Sequence, residues 1–236
     1  MSSHPNIKVR LIVMNFLQFA IWGAYLISMG TYLFRVGLGD KIGYFYAMQG
    51  LVSLFMPALI GIVADRWIPA QKLLALCHLL SAFFRASLGY YGMTGGGALE
   101  FSSMHLLYSL AIAFYMPTLA LSNSVAYTAL EKEKLDPVSA FPSIRMYGTI
   151  GFICSMLATD ILGFQTNYMQ FFLSAGLGLI AAVYAYTLPA CPVNRTTNKK
   201  SLVDAFGLRA FTLFKQQKMA VFFIFCVLLG VALQIT

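Results

Sequence analysis

Acidic side chains are scarce in this sequence: eight of its 236 residues are Asp or Glu, and all charged residues together make up 10%. The eight acids lie at the ends of long apolar segments or between them, so no pair of carboxylates stands inside such a segment for acid–base catalysis. A soluble domain is about 25% charged. With 59% apolar residues instead, the sequence indicates an integral membrane protein.

Cysteine and histidine are also few, and neither forms a metal-binding or redox motif. The four cysteines show no such spacing; Cys77, Cys154 and Cys226 lie inside apolar segments, and Cys191 follows one. We interpret them as reduced, small apolar residues. His78 and His105 stand alone without metal-ligand spacing, so we assign them packing or interfacial roles. We therefore expect no metal and no cofactor.

Six apolar segments approach or exceed the roughly 20 residues that a membrane-crossing helix needs. They are residues 11–34, 42–64, 73–93, 104–130, 138–160 and 168–189. Because lipid cannot hydrogen-bond to the backbone, each segment is predicted to be helical. We expect no cleavable signal peptide, since the first apolar run is too long and contains Trp and Tyr.

A seventh apolar segment, residues 219–236, runs to the last residue of the sequence, so we interpret the chain as a fragment. The predicted organisation is a six-helix bundle over 1–189, a basic linker over 190–217 and a truncated seventh span over 218–236. Residues 201–215 of the linker are modestly amphipathic, which is typical of a helix at a membrane surface.

The basic residues indicate the orientation of the chain. If the N-terminus is cytoplasmic, twelve of the sixteen Lys and Arg lie inside, Arg35 and Lys41 lie outside, and Arg85 and Arg145 lie within spans. This bias predicts a cytoplasmic N-terminus. Because the basic residues stand between apolar segments, the net charge of +8 reflects membrane topology rather than a nucleic-acid partner.

One arginine lies well inside the fifth predicted span. Asp136 and Pro137 are typical of the cap and first residue of a helix, which places Arg145 about 12 Å inside the membrane. Thr149 and Phe152 follow on the same helical face. An intramembrane arginine usually faces a bundle interior or a wet cavity, where it contacts a ligand or partner. Alternatively, Arg145 extends to the cytoplasmic surface or pairs with an acid in a loop.

A second polar stripe lies on the first predicted span, where Asn15, Gln18, Trp22 and Tyr25 share one face. It lines a cavity, with rings available for stacking, or it provides hydrogen bonds between packed helices. Arg85, nearer the outer end of the third span, is predicted to extend outward to the membrane surface.

Small residues mark two places where helices can approach closely. In the fifth span these are Gly151 and Ser155, four residues apart. Near the end of the second span, Gly61 precedes the charged pair Asp65 and Arg66. That pair either sets the membrane topology or belongs to a conformational latch.

Five sequence runs suggest a known family. They are F-L-Q-F-A-I-W-G-A-Y, F-M-P-A-L-I-G-I-V-A-D-R, Y-M-P-T-L, F-P-S-I-R-M-Y-G-T-I-G-F and F-F-I-F-C-V-L-L-G-V-A-L-Q-I-T. Together they resemble the bacterial nucleoside:proton symporter family of the major facilitator superfamily. The resemblance implies an all-α membrane protein: the N-terminal six-helix half of a twelve-helix major facilitator transporter, plus part of helix 7.

The resemblance also implies a function and a location. The protein would import nucleosides across the bacterial inner membrane by proton symport with alternating access. Its partners would be the nucleoside, protons and the lipid bilayer, and we expect a monomer. All eight acids fall at helix ends or in loops, so the proton-carrying residue is expected outside this chain.

The family pattern assigns residues to the site. The fifth-helix R-x-x-x-T-x-x-F pattern, which contacts the nucleoside, corresponds to Arg145, Thr149 and Phe152, and Gln234 matches a further ligand. An asparagine that follows three residues later in the family falls beyond residue 236. We add Gln18 and Trp22 from the stripe on the first span.

The G-x-x-x-D-R loop of major facilitator transporters is matched by Gly61, Asp65 and Arg66, but the family's usual following glycine is Ile68 here. We predict that these residues form an inside latch, with Glu131 or Glu133 as its partner.

Three other functions remain as alternatives. They are transport of another small polar solute, a six-helix membrane enzyme and a structural membrane subunit.

Overall fold

A computed structural model describes residues 4–96, 99–191 and 213–235. Within these residues the chain forms α-helices, short 3₁₀ segments at Gly39–Lys41 and at 213–215, and no strand. The α-helices are α1 His4–Gly23, α2 Met29–Arg35, α3 Ile42–Arg66, α4 Ala70–Thr94, α5 Phe101–Lys132, α6 Pro137–Ile161, α7 Met169–Tyr186 and α8 Gln217–Ile235. The predicted amphipathic helix lies almost entirely outside the described residues, because the structure describes nothing between 191 and 213.

The chain divides into two compact units, Met1–Arg195 and Thr196–Thr236. The first contains α1 to α7 and the second contains α8. Four stretches are long and apolar enough to cross a membrane: Gly39–Arg66, which includes α3, and the helices α4, α5 and α7. The helices α1 and α6 are also long enough, at 20 and 25 residues, but polar side chains such as Gln18 and Arg145 make them less apolar.

The first predicted span, residues 11–34, is not one continuous helix. The helix α1 begins earlier, at His4, and ends at Gly23, and α2 begins only at Met29. The prediction of a single helix was wrong because apolar composition reports membrane burial but not the regularity of the backbone. A broken membrane helix requires other groups to satisfy the carbonyls that it frees.

Hydroxyl groups from three neighbouring helices satisfy these carbonyls. Ser174 of α7 donates to the carbonyl of Ile21 (2.7 Å), Thr159 of α6 to that of Ala24 (2.9 Å), and Tyr46 of α3 to that of Leu26 (2.8 Å). The break between α1 and α2 is therefore held by the bundle around it.

The helices α1 and α6 pack with their backbones in close contact. A Cβ atom at Gly151 would lie 2.2 Å from the carbonyl oxygen of Phe16, and one at Gly23 would lie 2.3 Å from the carbonyl oxygen of Phe152. The Cβ at Gly23 would also lie 2.5 Å from the hydroxyl of Ser155. This confirms the predicted close approach at Gly151 and Ser155, and it fixes α6 against α1.

Gly61 allows a close helix approach, but none is made there among the described residues. A Cβ atom at Gly61 would meet no heavy atom within 4 Å. Only Phe45 and Val52 of α3 are fully buried. The sequence spacing at Gly61 therefore permits close packing, but no helix in this unit uses it.

Candidate functional site

The site is built around Arg145 of α6, whose position follows from the start of its helix. The carboxylate of Asp136 accepts hydrogen bonds from the backbone N–H groups of Val138 (3.2 Å) and Ser139 (3.1 Å), which confirms the predicted cap. Hydrogen bonds from Ser139 and then from the backbone of Val138 hold the pKa of the Asp136 carboxyl below its ordinary value.

The guanidinium of Arg145 lies on an aromatic ring. Its Cζ atom is 3.7 Å from the ring centroid of Phe19, a cation–π contact between α6 and α1. Arg145 is half-buried, and no ion pair to an acid is found for it among the described residues. Among the described residues, the guanidinium N–H groups of Arg145 therefore do not donate to a carboxylate. This does not fit the alternative in which Arg145 pairs with an acid in a loop.

Gly148 provides the space for this contact. A Cβ atom at Gly148 would lie 2.8 Å from Nη1 of Arg145 and 2.6 Å from Cδ2 of Phe19. Any side chain at position 148 must displace one of these groups. The sequence motif around Arg145 therefore includes a glycine with its own role, which the spacing argument did not identify.

Thr149 and Phe152 follow Arg145 along α6, as the spacing predicts. The side chain of Thr149 is exposed and that of Phe152 is half-buried. Their role as ligands of a bound molecule stays a prediction. The exposure of Thr149 leaves its hydroxyl accessible for hydrogen bonding from outside this unit.

Gln18 of α1 is fully buried and is held by two contacts with α5. Its Nε2 donates to the hydroxyl of Thr118 (2.7 Å), and its backbone carbonyl accepts from the hydroxyl of Tyr115 (2.6 Å). These bonds fit the interpretation of Gln18 as a hydrogen-bonding group between packed helices. Its side-chain oxygen has no partner among the described residues.

Trp22 is the only half-buried member of its stripe, because Asn15, Gln18 and Tyr25 are buried. Its ring lies 5.9 Å from that of Tyr115 in an edge geometry and 6.3 Å from that of Phe19. Its indole Nε1 has no hydrogen-bond partner within the described residues. Trp22 therefore offers a partly accessible aromatic surface beside the ring of Phe19, which the guanidinium of Arg145 contacts.

Gln234, the remaining predicted ligand, lies in α8. Its side chain lies outside the described residues, and α8 belongs to the second compact unit. Its role stays a prediction.

The predicted latch residues lie at the ends of two neighbouring helices. Asp65 and Arg66 are exposed at the C-terminal end of α3, and Glu131 is exposed near the C-terminal end of α5. The rings of Phe45 and Phe101, at the starts of α3 and α5, are 5.9 Å apart, so the two helices run in the same direction. Both charged ends therefore lie at the same end of the bundle.

The prediction for Arg85 was wrong. Its side chain is 2% exposed and points into the bundle, and all three of its guanidinium nitrogens lack a hydrogen-bond partner among the described residues. Its Cζ atom lies 4.6 Å from the ring centroid of Tyr115 and 5.3 Å from that of Tyr25. Burying a guanidinium costs several kcal/mol, and each desolvated cation–π contact returns about 2 kcal/mol. The two rings offset a large part of that cost.

A signal for this burial was present in the sequence. His78 and Ser81 precede Arg85 by seven and four residues, so the three form a polar stripe on one face of α4. Both His78 and Ser81 are buried, and Ser81 donates a hydrogen bond to the carbonyl of Ala111 in α5 (2.6 Å). The buried His78 confirms its predicted packing role. The sequence indicated how far along its helix Arg85 lies, but it did not indicate the direction in which the side chain points.

The amino-acid sequence was compared with known families and proteins. A family model described as "Nucleoside H+ symporter" matches residues 5–236. Xanthosine permease of Escherichia coli K12 is 41% identical over 236 residues, which covers 98% of this chain and 54% of that protein. Nucleoside permease NupG of the same organism is 40% identical over 236 residues, with the same coverage of 98% and 54%.

Solved structures agree with these relatives. A crystal structure of a NupG mutant matches with a TM-score of 0.84 and 39% identity, covering 98% of this chain and 56% of that one. A crystal structure of NupG itself matches with a TM-score of 0.79. The chain spans about half the length of the curated relatives that it matches.

These matches confirm the expected fold, an all-α half of a major facilitator transporter, and the relatives that they name are nucleoside permeases. The family model covers nearly the entire chain, including the runs around Gln18, Arg145 and Gln234. The chain therefore belongs to the nucleoside H+ symporter family.

Proposed function

We propose that the protein imports nucleosides across the bacterial inner membrane by proton symport, and that α1 and α6 supply part of the nucleoside site. The observation that carries this proposal is Arg145. It is a half-buried guanidinium that lies on the ring of Phe19 and is not paired with an acid among the described residues. Nucleoside permeases among the relatives support the substrate class.

The chemistry of the site suits a neutral ribonucleoside. Arg145 presents several N–H donors in a fixed plane, which can bind base carbonyls or ribose hydroxyls. The hydroxyl of Thr149 adds an exposed donor or acceptor. Trp22 and Phe152, both half-buried, offer rings on which a base can stack. Gln18, predicted from the sequence as a further contact, is fully buried, so we propose that it supports the site through its hydrogen bond to Thr118. The role of Gln234 stays a prediction from the family pattern.

Proton symport requires a group that gains and loses a proton within the membrane. The acids in the described part of the chain lie at helix ends or in loops, and none of them is buried. We therefore place the proton-carrying residue outside this chain, in the part of the relatives' length that it does not cover.

We also propose that the N-terminus is cytoplasmic and that the protein works as a monomer, without a nucleic-acid partner. The asymmetry of Lys and Arg supports this orientation. Reporter fusions at Gly96 and Thr197 are expected to report outside and inside, respectively. The same side for both fusions would contradict the proposed topology.

For the latch, we propose that Asp65 and Arg66 act in the conformational cycle together with Glu131 or Glu133, and not in nucleoside binding. Their position at the helix ends supports this role. Asp65→Asn is expected to slow transport while leaving equilibrium binding of the nucleoside nearly unchanged. A large loss of binding would assign Asp65 to the site instead.

Uptake of labelled nucleosides tests the main proposal. The measurement uses cells that lack their own nucleoside permeases and produce the full product of this gene. We expect saturable uptake that unlabelled nucleosides compete for and that a protonophore abolishes. Arg145→Ala, checked for membrane insertion, serves as the inactive control. Uptake of a labelled sugar without any nucleoside uptake would overturn the proposal in favour of another small polar solute.

A further inference from the structure

We propose that Arg85 is a positioning residue for the nucleoside site: it orients Tyr115, and through Tyr115 it sets the positions of Trp22 and Gln18. This inference rests on the proposed function, and it assigns a role to a charge that the proposed contacts leave unexplained. Arg85 is too deeply buried to touch a nucleoside itself, since only 2% of it is exposed.

A series of contacts leads from Arg85 to the site. The guanidinium Cζ lies 4.6 Å from the ring centroid of Tyr115, and that ring lies 5.9 Å from Trp22 in an edge geometry. Trp22 lies 6.3 Å from Phe19, whose ring carries the guanidinium of Arg145 at 3.7 Å. We call Tyr115, Trp22 and Phe19 the aromatic ladder. It connects α4, α5, α1 and α6 and has an arginine at each end.

Tyr115 is the residue of the aromatic ladder that connects Arg85 to both Trp22 and Gln18. Arg85 contacts its ring, and its hydroxyl donates to the backbone carbonyl of Gln18 at 2.6 Å. The hydroxyl of Thr118 donates to the carbonyl of Tyr115 at 2.5 Å and accepts from Gln18 Nε2 at 2.7 Å. A change in the orientation of the Tyr115 ring therefore moves both Trp22 and Gln18.

The charge of Arg85 acts together with the hydroxyl bond to Gln18 in holding the ring in this orientation. The guanidinium has no hydrogen-bond partner among the described residues, so its contacts with Tyr115 and with Tyr25 on the same side of the bundle are its main stabilising interactions. A cation is attracted to the face of a ring and not to its edge. An apolar side chain of similar size would fill the space but would not favour one ring orientation.

The test compares Arg85→Leu, which removes the charge, with Arg85→Lys, which keeps a cation. Arg35→Leu is the matched control, because Arg35 is exposed and donates to the hydroxyl of Thr166 (2.8 Å) away from the ladder. Two quantities are measured in the full product of the gene: nucleoside affinity, and the fluorescence emission of Trp22 without nucleoside. Subtracting the spectrum of each variant in a Trp22→Phe background isolates the emission of Trp22.

We expect Arg85→Leu to weaken nucleoside affinity by about 5- to 30-fold and to shift the Trp22 emission. Arg85→Lys is expected to give intermediate values, and Arg35→Leu wild-type values. If Arg85→Leu does not fold, Tyr115→Leu breaks the same ladder and should reproduce both effects. Wild-type affinity together with unchanged Trp22 emission in a folded Arg85→Leu or Tyr115→Leu variant would overturn the inference.

The two readouts also separate this inference from the proposed function. If the wild-type protein binds no nucleoside, the proposed function fails, but the Trp22 emission still reports whether Arg85 orients the ladder. If the wild-type protein binds nucleoside and Arg85→Leu changes neither measurement, only the role of Arg85 fails.

Discussion

The two arginines that lie well inside predicted spans, Arg145 of α6 and Arg85 of α4, have different surroundings. Both contact aromatic rings, Arg145 that of Phe19 at 3.7 Å and Arg85 those of Tyr115 and Tyr25 at 4.6 and 5.3 Å. Arg145 is half-buried, whereas Arg85 is 2% exposed. The two roles that we propose follow from this difference: an accessible guanidinium is available to a ligand, and an enclosed one contacts only its neighbours.

The contrast also separates the helices that carry the two arginines. Arg145 stands on α6, which packs through Gly151 against the backbone of α1 and leaves one face open. Arg85 stands on α4, which packs against both α5 and α7, so its inner face is enclosed. The role of each arginine follows from how many helices surround it.

The largest effect is expected from Arg145 itself. If its guanidinium donates to the nucleoside, Arg145→Ala should weaken binding by roughly 10- to 150-fold, the equivalent of about 1.5–3 kcal/mol for a charged hydrogen bond. Arg145→Lys should be a poor substitute, because lysine lacks the planar fork that holds two acceptors. Nucleoside affinity of the folded, inserted variants is the measurement. Wild-type affinity in both variants would assign Arg145 a structural role, like that of Arg85.

The second-largest effect on nucleoside affinity is expected from Gly148, whose lack of a side chain leaves space for the guanidinium of Arg145. Gly148→Ala places a methyl group 2.8 Å from Nη1 of Arg145, so the guanidinium must leave the ring of Phe19. Crowding of this kind costs about 1–3 kcal/mol, and we expect affinity to fall by about 5- to 100-fold. Gly176→Ala is the matched control, since a Cβ there meets nothing within 4 Å. Equal affinity in the two variants would show that the position of Arg145 on the ring is unimportant.

A smaller effect is expected from Thr149. Thr149→Val removes a neutral hydroxyl and keeps the shape of the side chain, so binding should weaken by about 0.5–1.5 kcal/mol. Titration of the nucleoside, in parallel with Arg145→Lys, gives the ranking. A larger loss for Thr149→Val than for Arg145→Lys would contradict a site in which the charge dominates.

The smallest effect concerns the cap that starts α6. The pKa of the Asp136 carboxyl is lowered in the folded state, so its stabilising contribution is fully present above its unfolded pKa. This contribution is lost as the pH falls through the folded-state pKa. We expect Asp136→Ala to lower the melting temperature slightly at neutral pH, and Asp136→Asn to restore most of the loss. An equal melting temperature for wild type and Asp136→Ala at neutral pH would show that the cap does not stabilise α6.

Much of the architecture could be predicted from the sequence because lipid imposes simple rules. The apolar segments gave the second, third, fourth and sixth spans, which reappear in α3, α4, α5 and α7. The cap at Asp136 and the close approach at Gly151 are local patterns, and both were confirmed. The fifth-span arginine could be found because a charge is conspicuous in an apolar segment.

The features that the sequence did not predict share one cause. The hydrophobicity of a segment does not report which other helices pack against it. The break between α1 and α2 depends on the hydroxyls of Ser174, Thr159 and Tyr46, which come from three other helices. Gly61 has the spacing of a contact residue but no neighbour within 4 Å among the described residues. Neither outcome can be read from the residues adjacent in sequence.

The sequence by itself determined the membrane class, the family and the depth of each arginine, because helical rise converts residue number into distance along the helix axis. Only the tertiary structure decided the direction in which each arginine points and how enclosed it is. That decision rests on packing around the axis: Gly148 opens a space over Phe19 for Arg145, while Tyr115 and Tyr25 enclose Arg85. Burial depends on residues far apart in sequence, and it is the reason we propose a ligand-binding role for Arg145 and a positioning role for Arg85.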